Sequence, residues 1–381
     1  MRIGIDYTPA VRQGGGIGRY TRNLIQAVCA LDVNNAYTWF VAGRERRTDA
    51  AVEGANNVRV RSVPVSDRVL NIMWQRLRLP VPIQLVTGSL DLFHSPDFVL
   101  PYVGGIPAIL TVHDLSFMRL PQFFVPGFRD YLERAVSRAV QRADHILADS
   151  KSTRQDLIEL LAVEPDRVSV LYPGIGTRFQ RVEDAAELDR VRAKYRLPQR
   201  FIPGLGTLQP RKNFDGLIDS FQHLMSHQEP VSGGPELHLV LCGGPGWMFE
   251  QTLASIEQAG LGARIHLPGF VDDADLPALY SLASVLAFPS WYEGFGLPVL
   301  EAMACETPVV AADNSSLPEV VGEAGLMVDA ADRQGLAHAL ERVLDDEGLR
   351  ASLASAGLKQ AHKFSWEEAA RQLLDLYQTY A

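Results

Sequence analysis

The strongest constraint on this chain is an alternation that runs through it twice. Short β-rich runs at RIGID (2–6), YTWFVA (37–42), VRVRSVPV (58–65), DLFH (91–94), AILTVH (108–113), HILADS (145–150) and VSVLYPG (168–174) are separated by stretches of helical period, at 17–31, 125–142 and 151–162 among others. A polar, helix-prone stretch follows, VEDAAELDRVRAKY (183–196), and then the alternation restarts. Its runs are FIPGLG (201–206), ELHLVLCGG (236–244), RIHLPG (264–269), SVLAFPS (284–290), TPVVAAD (307–313) and AGLMVD (324–329), with helical stretches near 212–227, 247–259, 273–283, 298–304, 332–345 and 347–362. Such alternation is satisfied by a mostly parallel sheet with right-handed crossovers. A chain of 381 residues exceeds what one core usually organises, so the expectation is an α/β protein of two doubly wound, Rossmann-like domains, 1–181 and 182–364. A last amphipathic helix spans 365–380, with Trp366, Ala369, Leu373, Leu376 and Tyr380 near one face.

Composition narrows the class. Three widely separated cysteines, Cys29, Cys242 and Cys305, form neither a metal-ligand spacing nor an even disulfide set. The amino terminus is interrupted by Asp6 too early for a signal peptide, and no run approaches eighteen apolar residues. A soluble, cytoplasmic protein is expected. Charge is uneven: residues 1–181 hold 22 Lys and Arg against 17 Asp and Glu, leaving 14 against 28 for the remainder. Arg129, Arg134, Arg138 and Arg142 recur along one helix, which suits either an anionic membrane face or a solvated surface with local partners such as Asp130 and Glu133.

Ligands of open α/β sheets bind beyond the carboxyl ends of the strands, and the chemistry-bearing residues concentrate there. GGGIGRYTRNL (14–24) follows the first strand and enters a helix, so its backbone N–H groups and the helix dipole could cradle a phosphate; a flexible connector would read the same way. It is no dinucleotide fingerprint, since Thr21 stands at the third glycine position. GLGTLQPRKNF (204–214) puts Arg211 and Lys212 at the start of the next helix, where cations are disfavoured unless something negative, such as a diphosphate, compensates. In WYEGFGLPVLEA (291–302), Pro298 suits the first helical position, placing Glu293 in the loop and Glu301 in the first turn. Glu301 could accept the hydroxyls of a ribose or simply cap the helix, and Gly294 and Gly296 could turn backbone N–H groups toward a ligand. His113, in TVHDLSF (111–117), also ends a strand, with Asp97 and Asp114 as nearby carboxylates; Asp272, Asp273 and Asp275 suit a helix cap better than a metal.

Taken together, EGFGLPVLE, GTLQPRKN and the opening glycine loop resemble the motifs of retaining glycosyltransferases of family 4, in order and spacing and over essentially the whole chain. GIGRYTRNL, HSP at 94–96, VHDLSF and GTLQPRKN are most similar to the mannosyltransferases of bacterial O-antigen and related polysaccharides. The resemblance implies the GT-B fold, two facing Rossmann-like domains with a nucleotide sugar between them, and a final helix, 365–381, that returns to the first domain. It implies that Gly15, Gly16, Arg211 and Lys212 hold the diphosphate and that Glu301 binds the ribose. Glu293 would contact the donor sugar with help from Gly294, Phe295, Gly296 and Leu297, and His113 would lie at the reacting face. PGFVD (268–272) would border the base. Gln209 departs from the glutamate frequent in that branch.

The function so implied is transfer of a hexose, most simply mannose from GDP-mannose, to a sugar hydroxyl of a glycan or lipid-linked acceptor, with retention and without a metal or other cofactor. No carboxylate can be assigned to a nucleophile's position, so attack on the leaving group's own face is expected, with Arg211 and Lys212 stabilising the departing diphosphate. Competing readings are a UDP-sugar donor such as UDP-glucose or UDP-GlcNAc, a nucleotide-sugar epimerase or sugar phosphorylase, and a non-catalytic nucleotide-sugar-binding module. The expected partners are the nucleotide sugar, the acceptor and a peripheral contact with the inner membrane face through the basic N-terminal domain; no nucleic acid is expected.

Overall fold

The computed structural model describes residues 1–43, 56–227 and 235–380. They form two compact units. The first comprises Met1–Arg119, Pro126–Gly174 and Ser365–Ala381, the second Leu120–Val125 and Ile175–Phe364. The second unit therefore starts at Ile175, ahead of the expected 182. It also recruits 120–125: Trp247 Nε1 donates to the Phe123 carbonyl at 2.6 Å, and the Phe124 and Trp247 rings lie 5.4 Å apart.

In the first unit, β1 (Arg2–Asp6), β2 (Ala36–Ala42), β3 (Val58–Val63), β4 (Leu92–Ser95), β5 (Ala108–Val112), β6 (His145–Ala148) and β7 (Val168–Val170) make one parallel sheet in the order β3-β2-β1-β4-β5-β6-β7. β4, β5 and β6 are buried at every position, which is why these runs are continuous rather than alternating. The order reverses between β1 and β4, the kind of switch point beyond whose strand ends open α/β sheets bind ligands. The C-terminal helix Trp366–Tyr380 belongs to this unit. Trp366, Ala369, Ala370, Leu373 and Tyr377 join the core of Ile3, Ile5, Tyr20, Leu24 and Val28. Tyr377 sends its hydroxyl to His94 Nδ1 at 2.8 Å, and the Tyr380 hydroxyl meets His145 Nδ1 at 3.0 Å.

In the second unit, β8 (Arg200–Leu205), β9 (Leu237–Cys242) and β10 (Ile265–Gly269) form one parallel sheet, and β11 (Leu286–Phe288), β12 (Val309–Ala312) and β13 (Leu326–Val328) another. Ser284 N donates to the Phe201 carbonyl at 3.0 Å, so β8 and the segment leading into β11 adjoin, and the strands run 10-9-8-11-12-13. This is the doubly wound order, with its reversal between β8 and β11.

One expectation about local structure is corrected. The carboxylate of Asp275 does not cap the helix it precedes, Leu276–Leu282. Instead it is buried and accepts from Arg190, from Lys194 Nζ at 2.6 Å and from the Tyr195 hydroxyl at 2.7 Å, tying helix Ala185–Tyr195 to this one. The arginines of helix Pro126–Arg142 are largely occupied. Arg129 pairs with Asp130 at 2.7 Å, Arg138 donates to the Gln75 carbonyl at 2.5 Å, and Arg142 donates to the Leu100 and Pro101 carbonyls. Arg129 with its local acidic partners fits the solvated-surface alternative, and Arg134 and Arg142 remain exposed.

Candidate functional site

The carboxyl end of β8 turns through Gly206, Thr207 and Leu208 into a 3-10 turn, Pro210–Lys212, and Asn213 then adopts the left-handed conformation before helix Phe214–His227 begins. Arg211 and Lys212 thus lie ahead of the helix, not in its first turn, because the 3-10 turn and the left-handed Asn213 delay the helix to Phe214. That first turn carries Asp215, which suits the dipole. Gly206, at φ +144°, is required here: a Cβ would come within 3.0 Å of Lys212 Cε. Asn213 anchors the turn by donating from Nδ2 to the carbonyls of Pro289, at 2.9 Å, and Ala330, at 2.8 Å.

The loop after β11 comes back over this turn. Trp291 N donates to the Arg211 carbonyl at 2.9 Å, and Arg211 Nη1 donates to the Tyr292 carbonyl at 2.5 Å and to Glu293 Oε2 at 3.1 Å. Lys212 Nζ donates to Glu293 Oε1 at 2.6 Å and sits 5.4 Å from the Phe288 ring centroid. All three side chains are close to buried, at 12%, 12% and 8% exposure. Burial alone would raise the Glu293 carboxyl, but Lys212 and Arg211 overturn that and hold it at about 2. The negative partner demanded by the two cations is therefore Glu293 in this state. Ser315 Oγ accepts from Glu293 N at 2.9 Å, and Ser316 Oγ donates to the carbonyls of Glu293 and Phe295, at 3.0 and 2.8 Å, fixing the loop on which Glu293 and Gly294 stand.

Gly296, at φ +110°, is the N-cap of helix Leu297–Ala304, and a Cβ there would meet Leu317 Cδ2 at 2.8 Å. Leu297 is the first helical residue and Pro298 the second. Glu301 consequently falls in the second turn, not the first, and capping does not account for it. It is 3% exposed and accepts from the Tyr280 hydroxyl at 3.0 Å. Tyr280 was not legible as its partner, since helix Leu276–Leu282 is brought there only by the fold. Gln209, beside the cations, is 5% exposed with its Oε1 unpartnered among the described residues.

In the first unit, Gly15 is the N-cap of helix Gly16–Leu31, with no side-chain cap and no acidic residue in the first turn. A Cβ on Gly15 would meet nothing within 4 Å, so the space before this helix terminus is open, whereas Gly18 is demanded by packing against the Gln13 carbonyl. His113 follows β5, is 6% exposed, and places Nδ1 at 2.7 Å from Asp149 Oδ2 and Nε2 at 3.2 Å from the Pro96 carbonyl. Burial would lower its pKa, yet Asp149, with a further contribution from Asp97, lifts it to about 9. Asp97 is held by Gln13 Nε2 at 3.3 Å, and burial raises its pKa. Asp114, by contrast, accepts from Ser116 N and Oγ at 2.9 and 2.6 Å and serves its own turn.

Sequence reasoning missed Asp149 and Asp6. Both lie at carboxyl ends of strands, β6 and β1, so the strand-end rule could have found them. Asp6 accepts from Thr8 N at 3.0 Å, and burial carries its carboxyl up to about 6. No group of three or more His, Cys, Asp or Glu suited to a metal occurs among the described residues.

A family model described as Glycosyl transferases group 1 matches residues 187–360, and one described as Glycosyltransferase Family 4 matches residues 14–179. The chain is 34% identical over 287 residues to the O-antigen chain mannosyltransferase B of Escherichia coli, spanning 75% of this chain and 74% of that one. It is 30% identical over 349 residues to a D-inositol 3-phosphate glycosyltransferase of Corynebacterium glutamicum (strain R), spanning 81% of each. Among solved structures, sucrose-phosphate synthase from Thermosynechococcus elongatus superposes with a TM-score of 0.76 at 21% identity, covering 100% of this chain and 98% of that one.

Proposed function

The chain belongs to the family 4 glycosyltransferases, GT-B-fold hexosyltransferases resembling the O-antigen branch, and from that premise we propose that it moves mannose from GDP-mannose to a sugar hydroxyl of a glycan or lipid-linked acceptor. The observation that carries the chemistry is the buried Arg211–Lys212–Glu293 cluster at the carboxyl end of β8. The choice of mannose rests on the 34% identity to the O-antigen mannosyltransferase. In this reading an incoming diphosphate takes over the guanidinium and ammonium groups, and Glu293, released from them, turns to the hydroxyls of the donor sugar with Gly294, Phe295, Gly296 and Leu297 beside it. Glu301 receives the ribose, and Gly15 and Gly16 approach the phosphates. Preorganised cations at the departing oxygen lower the barrier without a metal, and attack from the same face retains the anomeric configuration.

A UDP-sugar donor is the second reading. Gln209, which stands where the resembled branch often has glutamate, leaves the donor open to it. A thermal-shift panel of nucleotide sugars separates the two, because a ligand at a hundred times its Kd adds about 2.7 kcal/mol of stability. GDP-mannose is expected to give the largest shift; a shift with UDP-glucose or UDP-GlcNAc and none with GDP-mannose would overturn the donor.

The reading also includes peripheral contact with an anionic membrane. No helix among the described residues is long and apolar enough to cross one. The support lies in RLRLP, residues 76–80, which are all exposed. Leu77, Leu79, Val69 and Leu85 present apolar surface between Arg68, Arg76 and Arg78, matching acyl chains and phosphate headgroups together.

A further inference from the structure

We infer that Asp149 is a positioning residue for the sugar transfer: it grips His113 through Nδ1 and fixes the ring as a doubly protonated imidazolium, leaving Nε2–H as the bond offered to a sugar oxygen. The inference deepens the transferase reading and rests on it for the role of His113.

The geometry is that of a charged ring against an ionised Asp149. Nδ1 faces a carboxylate oxygen at 2.7 Å and Nε2 faces a carbonyl oxygen at 3.2 Å, and both of these partners only accept. A neutral imidazole has a single N–H and could satisfy one of them. The two bonds are unequal. The Asp149 contact is short and charge-assisted, whereas the Pro96 contact is long, so a bound hydroxyl can replace the carbonyl without freeing the ring. Thr153 Oγ1 also donates to the His113 carbonyl at 3.1 Å, holding the backbone beneath the ring.

His94, one strand away, is the internal comparison. It is fully buried, its ring nitrogens meet the hydroxyls of Tyr377 and Thr111, at 2.8 and 3.2 Å, and burial takes it down to about 3. A buried imidazole of this unit is thus neutral unless a carboxylate faces it. The groups that face His113 are Asp149 beyond β6, Asp97 beyond β4, its neighbour Asp114, His94 on β4, and the Tyr20 ring from helix Gly16–Leu31, edge-on at 4.9 Å. Burial raises both Asp149 and Asp97, and what sets Asp149 apart is its direct 2.7 Å bond to the ring. Asp149 keeps one oxygen, Oδ1, buried and unpartnered among the described residues, a cost that helix packing gives no reason to carry.

The test compares wild type with Asp149→Asn by kcat–pH profiles and by NMR titration of the His113 ring, assigned with His113→Gln. In wild type the ring should stay charged at pH 7 and titrate near 9. In Asp149→Asn it should titrate below 7, and the loss of kcat should be at least tenfold greater at pH 8 than at pH 6, since one pKa unit is tenfold in the charged fraction. Asp149→Glu should restore part of the high-pH activity. A kcat loss equal at both pH values, or an unmoved ring titration, would overturn the inference. If Asp149→Asn does not fold, a wild-type His113 that is neutral at pH 7 overturns it equally. The ring titration needs no donor, so failure of the transferase reading, seen as absence of transfer by wild type from every nucleotide sugar, is distinguishable.

Discussion

At the residue scale, Arg211 and Lys212 stand out in the sequence because cations near a helix start need a counter-charge. What the sequence could not show is that Glu293 supplies it, for these residues lie 81 and 82 positions apart and meet only when the β8 and β11 loops converge. Glu301 was misplaced by one turn for a smaller reason: Pro298 fits either of the first two helical positions, and the helix opens at Leu297. Replacing Arg211 with Ala should lower kcat by two to three decades, roughly 3–4 kcal/mol of transition-state stabilisation, measured at saturating donor. The same cluster sets a pH dependence. The Glu293 carboxyl is held at about 2, below its usual 4.5, so its contribution to stability is complete above about pH 4.5 and is lost as pH falls toward 2. An Arg211→Ala enzyme with undiminished turnover would remove the cation from the catalytic account.

At the element scale, the buried strands were legible because their β-branched runs are short and bounded by turns, and each observed strand lies within two residues of its expected start. The short elements were not. Helix Asp67–Asn71, its π-helical continuation Ile72–Arg76 and Gln84–Thr87 lack the length over which a 3.6-residue period becomes visible. The basic helix was visible, but Arg138 and Arg142 turn out to donate to loop carbonyls, and exposed arginines also lie at 68, 76 and 78, beside exposed apolar side chains. Wild type should therefore sediment with vesicles containing anionic phospholipid and not with neutral ones, and Arg76→Glu with Arg78→Glu should abolish the difference while leaving donor binding unchanged. Equal sedimentation by the double variant, or none by wild type, would contradict this surface.

At the scale of the whole molecule, two alternations in sequence became two doubly wound units, and the final helix joined the first of them through Trp366, Leu373 and Tyr377. The central claim is that the second unit's cations and glutamates deliver a hexose from a nucleotide sugar with retention and without a metal. Proton NMR of the product formed from GDP-α-mannose and a mannoside acceptor, with chelator present, tests it most directly. The account predicts an α-linked mannosyl product at an undiminished rate, and a β-linked product, or a reaction abolished by the chelator, would contradict it.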